Sequence, residues 1–225
     1  MAQEFSGPAS HVETPDPSRP SGSAPAGRPV VAFDFDGTLT VKDSFTAFLK
    51  WRAGPARYAL GLARLVPAAA AYLVHRDRGR IKAAAVKEFL HGVSHDELEA
   101  DARRFAKTQA ARLLRPDALA TWRKWRAEPV TLVIVTASPE LLVGAFAEDL
   151  GAYTVLGTQL SYDADNRVMG AFSGPNCRGA EKVVRLKEVF GQDMVLKAAY
   201  GDTSGDTEMI AMAEIKGYRV FTGKP

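Results

Sequence analysis

The chain has 225 residues, 46% hydrophobic and 24% charged, an ordinary globular composition able to bury a core without disulfides or a structural metal. Its one cysteine, Cys177, cannot form an internal bridge, which favours a reducing compartment. Its four histidines (His11, His75, His91, His95) have no cysteine partners at zinc-finger spacing, so each reads as a surface or core residue. The net charge of +3 conceals an asymmetry: residues 50–126 carry 17 Lys or Arg against 7 Asp or Glu, and the rest of the chain is net acidic. Such a basic module either attracts anions (a phosphorylated substrate, an acidic membrane surface, a nucleic acid) or is a set of solvated helix faces.

Residues 1–28 are rich in Pro, Ser, Gly and Ala and lack the apolar run of a secretory signal, so they read as a disordered tail. Residues 30–35 read as a short strand, ended by Asp36-Gly37-Thr38. From Asp43 to about Trp125 the pattern is helical, and Ser94 with Glu97 three residues later fits a capping box for a helix running to about Leu114. Within this stretch residues 58–74 are mostly apolar. The charge-free piece from Leu65 to Val74 is far short of the ~20 residues of a spanning helix, so a helix buried in the helical module is expected, with one lying in a membrane interface as the alternative.

Residues 129–135 form a continuous apolar run, the mark of a strand covered on both faces. A helix from Pro139 to Leu150, stopped by Gly151, comes next. Residues 159–162 and 167–169 flank Asp163-Ala-Asp-Asn166 as a β-hairpin. The chain then reads as a helix from about Ala180 to Phe190, a strand from Leu196 to Tyr200, a helix from Thr207 to Glu214 and a last strand from Tyr218 to Phe221. This alternation predicts an α/β fold with a Rossmann-like, doubly wound parallel sheet, interrupted by an inserted helical cap domain. The expected division is a tail at 1–28, a core at 29–42 and 120–225, and a cap at 43–119.

Three groups of chemically capable residues fall at the C-terminal ends of predicted strands: Asp34 and Asp36, Thr136, and Asp202. In open parallel sheets the ligand crevice lies outside those ends, so residues distant in sequence are expected to converge there. Asp34 and Asp36, two apart on an extended strand, point to the same side. Two carboxylates near a third repel unless a cation joins them, and a hard cation such as Mg²⁺ suits carboxylates, phosphate oxygens and water. An Asp carboxylate beside that cation can attack a phosphate ester and form an aspartyl-phosphate. Gly37 permits the turn after Asp36 and brings N–H groups towards the phosphoryl oxygens. The bland alternative is an edge strand with two solvated aspartates.

The run Asp34-Phe-Asp-Gly-Thr-Leu-Thr40 resembles the first motif of the haloacid dehalogenase superfamily. Thr136 resembles its second motif, Lys182 its third, and Gly201-Asp202-Thr-Ser-Gly-Asp206 its fourth, all in family order from Val30 to Pro225. The helical insert is similar to the cap of the phosphoserine phosphatase-like subfamily. This resemblance implies Asp34 as nucleophile and Mg²⁺ ligand, and Asp36 as general acid and then base, with its backbone carbonyl on the metal. It implies Thr136 as a hydrogen-bond donor to the phosphoryl group and Lys182 as the cation pairing with Asp34 and that group. Asp202 would be the second metal carboxylate, supported from behind by Asp206. Gly37, Thr38, Asp43, Ala137 and Ser138 occupy positions that would meet substrate. The presence of Asp36 argues for phosphate chemistry over dehalogenation.

The motifs also depart from those of phosphoserine phosphatases. Thr136-Ala137-Ser138 stands for Ser-Gly-Gly, Gly205 stands where Asn is usual, and Asp43 replaces a Glu that reads the substrate's amine. Hydrolysis survives these changes, whereas phosphoserine as the substrate does not follow. The expectation is therefore a Mg²⁺-dependent phosphatase of a small phosphomonoester. A second reading is a phospholipid head-group phosphatase, as in phosphatidylglycerophosphatase C. A reading of another class is a non-catalytic phosphate- or nucleic-acid-binding module. The expected location is the cytoplasm, with peripheral contact at the inner face of the membrane under the lipid reading. Neither a nucleic acid nor an obligatory protein partner is expected.

Overall fold

Every residue of the first strand, β1 (Val30–Phe33), is buried, because helices cover both sides of the sheet it lies in. The structure is a computed structural model describing residues 27–75 and 78–225, without the side chains of 71–78, so the expected tail lies outside the description up to residue 26. After β1 the helices are α1 (Ser44–Arg64), α2 (Val66–His75), α3 (Arg78–Leu90), α4 (His95–Leu113) and α5 (Pro116–Arg126). Then come β2 (Thr131–Pro139), α6 (Glu140–Leu150), β3 (Thr154–Tyr162), β4 (Val168–Ser173), α7 (Ala180–Phe190), β5 (Leu196–Gly201), α8 (Thr207–Met212) and β6 (Ile215–Tyr218). The sheet order is β4-β3-β2-β1-β5-β6, parallel throughout except for the β3–β4 hairpin.

Strand alternation sorts the core into two halves. Val31, Phe33 and Ile134 pack with Phe105, Trp122 and Phe146 on one face; Val30, Ala32 and Val133 pack with Leu186, Met209 and Ile210 on the other. This explains why residues 129–135 show no polar alternation: neither face of β2 meets water. Phe33 is held between Tyr200, at 4.4 Å between ring centres, and Trp122, at 5.0 Å. The indole N–H of Trp122 donates to the Leu150 carbonyl at 3.1 Å, so burying that large ring leaves no orphaned donor. Gly151 closes α6 in the left-handed conformation, φ 66, as its sequence position suggested.

The chain leaves the sheet at Thr40 and Val41 and returns at Leu113 to Arg115, and these two connections pair side by side. The Val41 N–H donates to the Leu113 carbonyl and the Arg115 N–H to the Leu39 carbonyl, each at 2.8 Å. The expected return near residue 120 falls inside α5, whose Trp122 already packs under Phe33. The chain is therefore back on the sheet by Arg115. At the start of α4 the Ser94 hydroxyl accepts the Glu97 N–H at 3.3 Å, while the Glu97 carboxylate takes Arg52 instead of closing the box, at 2.5 Å.

Other elements differ from the sequence reading. The apolar stretch 58–74 is not one buried helix but is divided between α1 and α2 at Leu65, and Leu60, Leu62 and Val66 are 50%, 47% and 61% exposed. No helix among the described residues is long and apolar enough to cross a membrane. The final strand lies at Ile215–Tyr218 rather than at residues 218–221. The Phe221 ring instead packs from a coil against Tyr200, at 5.3 Å between ring centres.

Candidate active site

Because β1 lies between β2 and β5, the residues at their C-terminal ends are neighbours however far apart in sequence. Asp34 follows β1 directly, its N–H donating to the Tyr200 carbonyl of β5 at 2.8 Å. The extended conformation stops there. Residues 35–39 make a wide turn in which the Thr40 N–H reaches back to the Phe35 carbonyl at 2.9 Å and Gly37 takes φ 86. Asp34 and Asp36 still face the same side across this turn, as Phe33 and Phe35 do in the core. Both line one cavity of about 560 Å³ but hold different partners.

Lys182 sits in the first turn of α7, on the same buried helix face as Leu186. Its ammonium donates to Asp34 Oδ1 at 2.7 Å, Asp206 Oδ1 at 2.6 Å and the Val135 carbonyl at 2.6 Å, so all three donors are used. Burial alone would lower the Lys182 pKa, but the two carboxylates outweigh it and hold it above its ordinary value. The other oxygen of Asp206 accepts the N–H groups of Asp202, at 3.3 Å, and Thr203, at 2.9 Å, together with the Thr203 hydroxyl at 3.0 Å. Burial would raise the Asp206 pKa; Lys182 and these donors more than offset it, and Asp206 lies below the usual carboxylate range.

Asp34 behaves differently. Burial pushes its pKa up to about 7; Lys182 opposes this, while Asp206 and Asp36 add to it. Asp202, half-buried, is also raised, by burial and then by Asp206. The ligand oxygens of Asp34, Asp202 and Asp206 lie within 4.8 Å of one another. Three ionised carboxylates against one ammonium leave two negative charges in excess, the deficit that a divalent cation matches. The donor set, all hard oxygen with Asp202 the least engaged, fits Mg²⁺. The Asp36 carboxylate is outside this group. It accepts the Ser44 N–H at 2.6 Å and the Ser138 hydroxyl, and its pKa is raised by burial and by nearby Asp43, with Lys82 opposing.

The remaining sequence candidates separate into two sets. Gly37, Asp43, Thr136 and Ala137 line the cavity, with Asp43 also capping α1 by accepting the Thr46 N–H at 2.7 Å. Thr38 and Ser138, expected to meet substrate, are not on the cavity wall. Both are buried, their hydroxyls spent on carboxylates: Thr38 on Asp34 at 3.3 Å, Ser138 on Asp36. Thr136 Oγ1 accepts the Ser138 N–H at 3.1 Å, which leaves its own proton to donate.

Sequence reasoning missed three cations. Lys82 crosses from α3 to the Ala137 carbonyl at 3.3 Å, and Arg178 faces the cavity with hydroxyl partners, Thr203 at 3.4 Å and Ser204 at 3.0 Å. Arg115 clasps the turn, donating to the Gly37 and Thr40 carbonyls at 3.2 Å each. One signal pointed towards Arg178: a Cβ at residue 205 would collide with its guanidinium, so Gly205 leaves the room that Arg178 fills.

The model of the haloacid dehalogenase-like hydrolase family matches residues 31–211. The chain is 61% identical over 196 residues to Protein CicA of Caulobacter vibrioides, covering 87% of this chain and 88% of that protein. A Bordetella pertussis Tohama I crystal structure of unknown function is similar at a TM-score of 0.69 and 23% identity, over 82% of this chain and 86% of that one. A substrate-bound phosphoserine phosphatase complex is similar at a TM-score of 0.55 and 17% identity, over 85% of each chain. The two structures share the fold of this chain, and the family match spans the strand ends that carry Asp34, Thr136 and Asp202 and the helix that carries Lys182. This protein belongs to the haloacid dehalogenase-like hydrolase family.

Proposed function

We propose that the protein is a Mg²⁺-dependent phosphatase that hydrolyses a phosphomonoester through an aspartyl-phosphate on Asp34. One observation carries this reading: the Asp34 carboxylate is oriented by Lys182 at 2.7 Å while sharing a cluster with Asp202 and Asp206 in which that one ammonium does not balance the three carboxylates. Mg²⁺, held by Asp34 and Asp202, would offset that charge and neutralise the phosphoryl oxygens. Asp206 has both oxygens engaged, so it orients Lys182 and the Thr203 backbone.

Asp34 attacks phosphorus, the ester P–O bond breaks, and the leaving alkoxide takes a proton from Asp36. Burial favours the protonated form of Asp36 that this step needs, and the Ser138 hydroxyl fixes its orientation. Asp36, now ionised, takes a proton from water as the water attacks the phosphoryl group on Asp34 and releases phosphate. The Thr136 hydroxyl and Lys182 stabilise charge on the transferring group. Residues from Asp43 to about Leu114 act as a cap, with α1 and α3 closing the cavity over the strand ends.

The test is hydrolysis of a generic aryl phosphate with the purified chain. Turnover should require Mg²⁺ and vanish in Asp34→Asn; full activity in excess chelator, or in that variant, would falsify the reading.

A further inference from the structure

The cavity has two chemically distinct ends. The end at the strand termini holds the carboxylates, Lys182 and Thr136. The side built by α1, α3 and the α1–α2 junction presents Phe45, Leu49, Leu62, Leu65, Ile81 and Phe89. Gly61 is part of the reason this wall is continuous: a Cβ there would collide with the Phe89 ring, so α1 packs tightly on α3. Leu62 is 47% exposed, which leaves the apolar side open to solvent.

The charged residues of this region are turned to other tasks. Arg57 and Arg64 pair with Glu88, at 2.7 and 3.3 Å, and neither lines the cavity. Asp43 caps α1, and Lys82 is tied to the Ala137 carbonyl. A small polar alcohol would leave the apolar wall facing water, with the Thr46 and Tyr58 hydroxyls and the remaining donors of Lys82 the polar groups that the helices offer it. An apolar chain would cover the wall.

Resting on the phosphatase reading above, we propose that the substrate is amphiphilic: a phosphomonoester whose alcohol carries an apolar chain lying along the wall formed by α1 and α3. The phosphate end is handled by the strand termini, and the chain leaves the cavity past Leu62. This assigns the basic, apolar module a binding role beyond that of a lid. The same chemistry occurs in a dispersed alkyl phosphate and in a lipid phosphomonoester held in a bilayer.

The test is a series of n-alkyl phosphates from ethyl to octyl, kept below their micelle concentrations and hydrolysed by the full chain with Mg²⁺. The value of kcat/KM should rise about fourfold per methylene until the wall is covered. Ethyl phosphate turnover with no dependence on chain length would overturn the inference while leaving the phosphatase reading standing. Absence of turnover on the whole series would count against the phosphatase reading. The affinities of the matching alkylphosphonates, which cannot be hydrolysed, would still decide the chain: rising affinity with length supports it and constant affinity overturns it. In Leu62→Asp the octyl-to-ethyl ratio of kcat/KM should fall at least tenfold, and an unchanged ratio would remove the chain from this wall. Phosphatidic acid in phosphatidylcholine vesicles adds the bilayer source. Turnover there supports a membrane-held substrate, and turnover of the monomers alone supports a dispersed one.

Discussion

Gly37 and Asp202 are packed so closely that a Cβ on Gly37 would collide with the Asp202 carboxylate. Gly37 also holds φ 86, a conformation that costs an L side chain about 1–2 kcal/mol. Gly37→Ala should therefore lose that much stability in urea melts. It should also lose about 100-fold in kcat/KM, because the carboxylate that would hold the metal is displaced. A variant with normal turnover and normal Mg²⁺ affinity would show that Asp202 has freedom this packing does not suggest.

Lys182 is the single ammonium shared by Asp34 and Asp206, and all three groups are buried. Replacing it with Met strands two carboxylates, so Lys182→Met should cost about 3–5 kcal/mol at neutral pH as well as abolish turnover. The stability cost should shrink on acidification, as the stranded groups take up protons. Denaturant titrations at neutral and mildly acidic pH check both points.

Stability of the metal-free protein should fall as pH rises from about 4 to 7. Asp34 has a folded pKa of about 7, above its ordinary 3.8, so the native state binds the extra proton in that window. The contribution is fully present below the unfolded pKa and is lost as pH climbs through 7. The raised pKa of Asp202 acts in the same direction, whereas the lowered pKa of Asp206 acts only below the window. Added Mg²⁺ should flatten the slope, since a bound cation favours ionised carboxylates. Thermal melts with chelator and with Mg²⁺ across this pH range test it.

Ser138→Ala removes a hydroxyl donor to Asp36. That hydrogen bond favours the ionised form, so without it the Asp36 pKa should rise further, and the limb of the pH–rate profile reporting Asp36 should move to higher pH. The kcat should fall about tenfold, the worth of one hydrogen bond to a charged group. A lowered kcat with an unmoved profile would mean that Ser138 acts only through packing.

Arg178 faces the cavity with hydroxyls rather than carboxylates as partners, so its charge is available to an anionic substrate. Arg178→Met should raise KM about tenfold or more with little change in melting temperature. Gly205→Ala, which pushes the guanidinium aside, should reproduce the KM effect in part. Steady-state kinetics on one aryl phosphate separates KM from kcat.

Much of this arrangement was legible in the sequence because it depends on local chemistry. The run 129–135 announced a strand covered on both faces, Gly151 a helix end, and Asp163–Asn166 a hairpin turn; each reflects a backbone or burial requirement met within a few residues. The convergence of Asp34, Thr136 and Asp202 followed from strand order alone. Other features depended on distant packing. The aromatic Phe221 looked like a strand residue but is drawn to the Tyr200 ring, so the edge strand forms three residues earlier around Gly217. Lys82 and Arg178 were hidden among many basic residues, since a spacing pattern does not tell which helix faces turn inward. The wide turn at residues 35–39 gave no signal in the sequence, although Asp34 and Asp36 line one cavity as their two-residue spacing suggested.

The paired connections at Thr40 and Leu114 constrain how the inserted helices can open. The two segments are hydrogen-bonded to each other and form one pin, and the insert is fastened a second time where Gly92 and Val93 exchange hydrogen bonds with Val168 of β4. Arg115 sits on that pin and grips the carbonyls of Gly37 and Thr40. Arg115 therefore ties the segment on which the insert returns directly to the turn that carries Asp36.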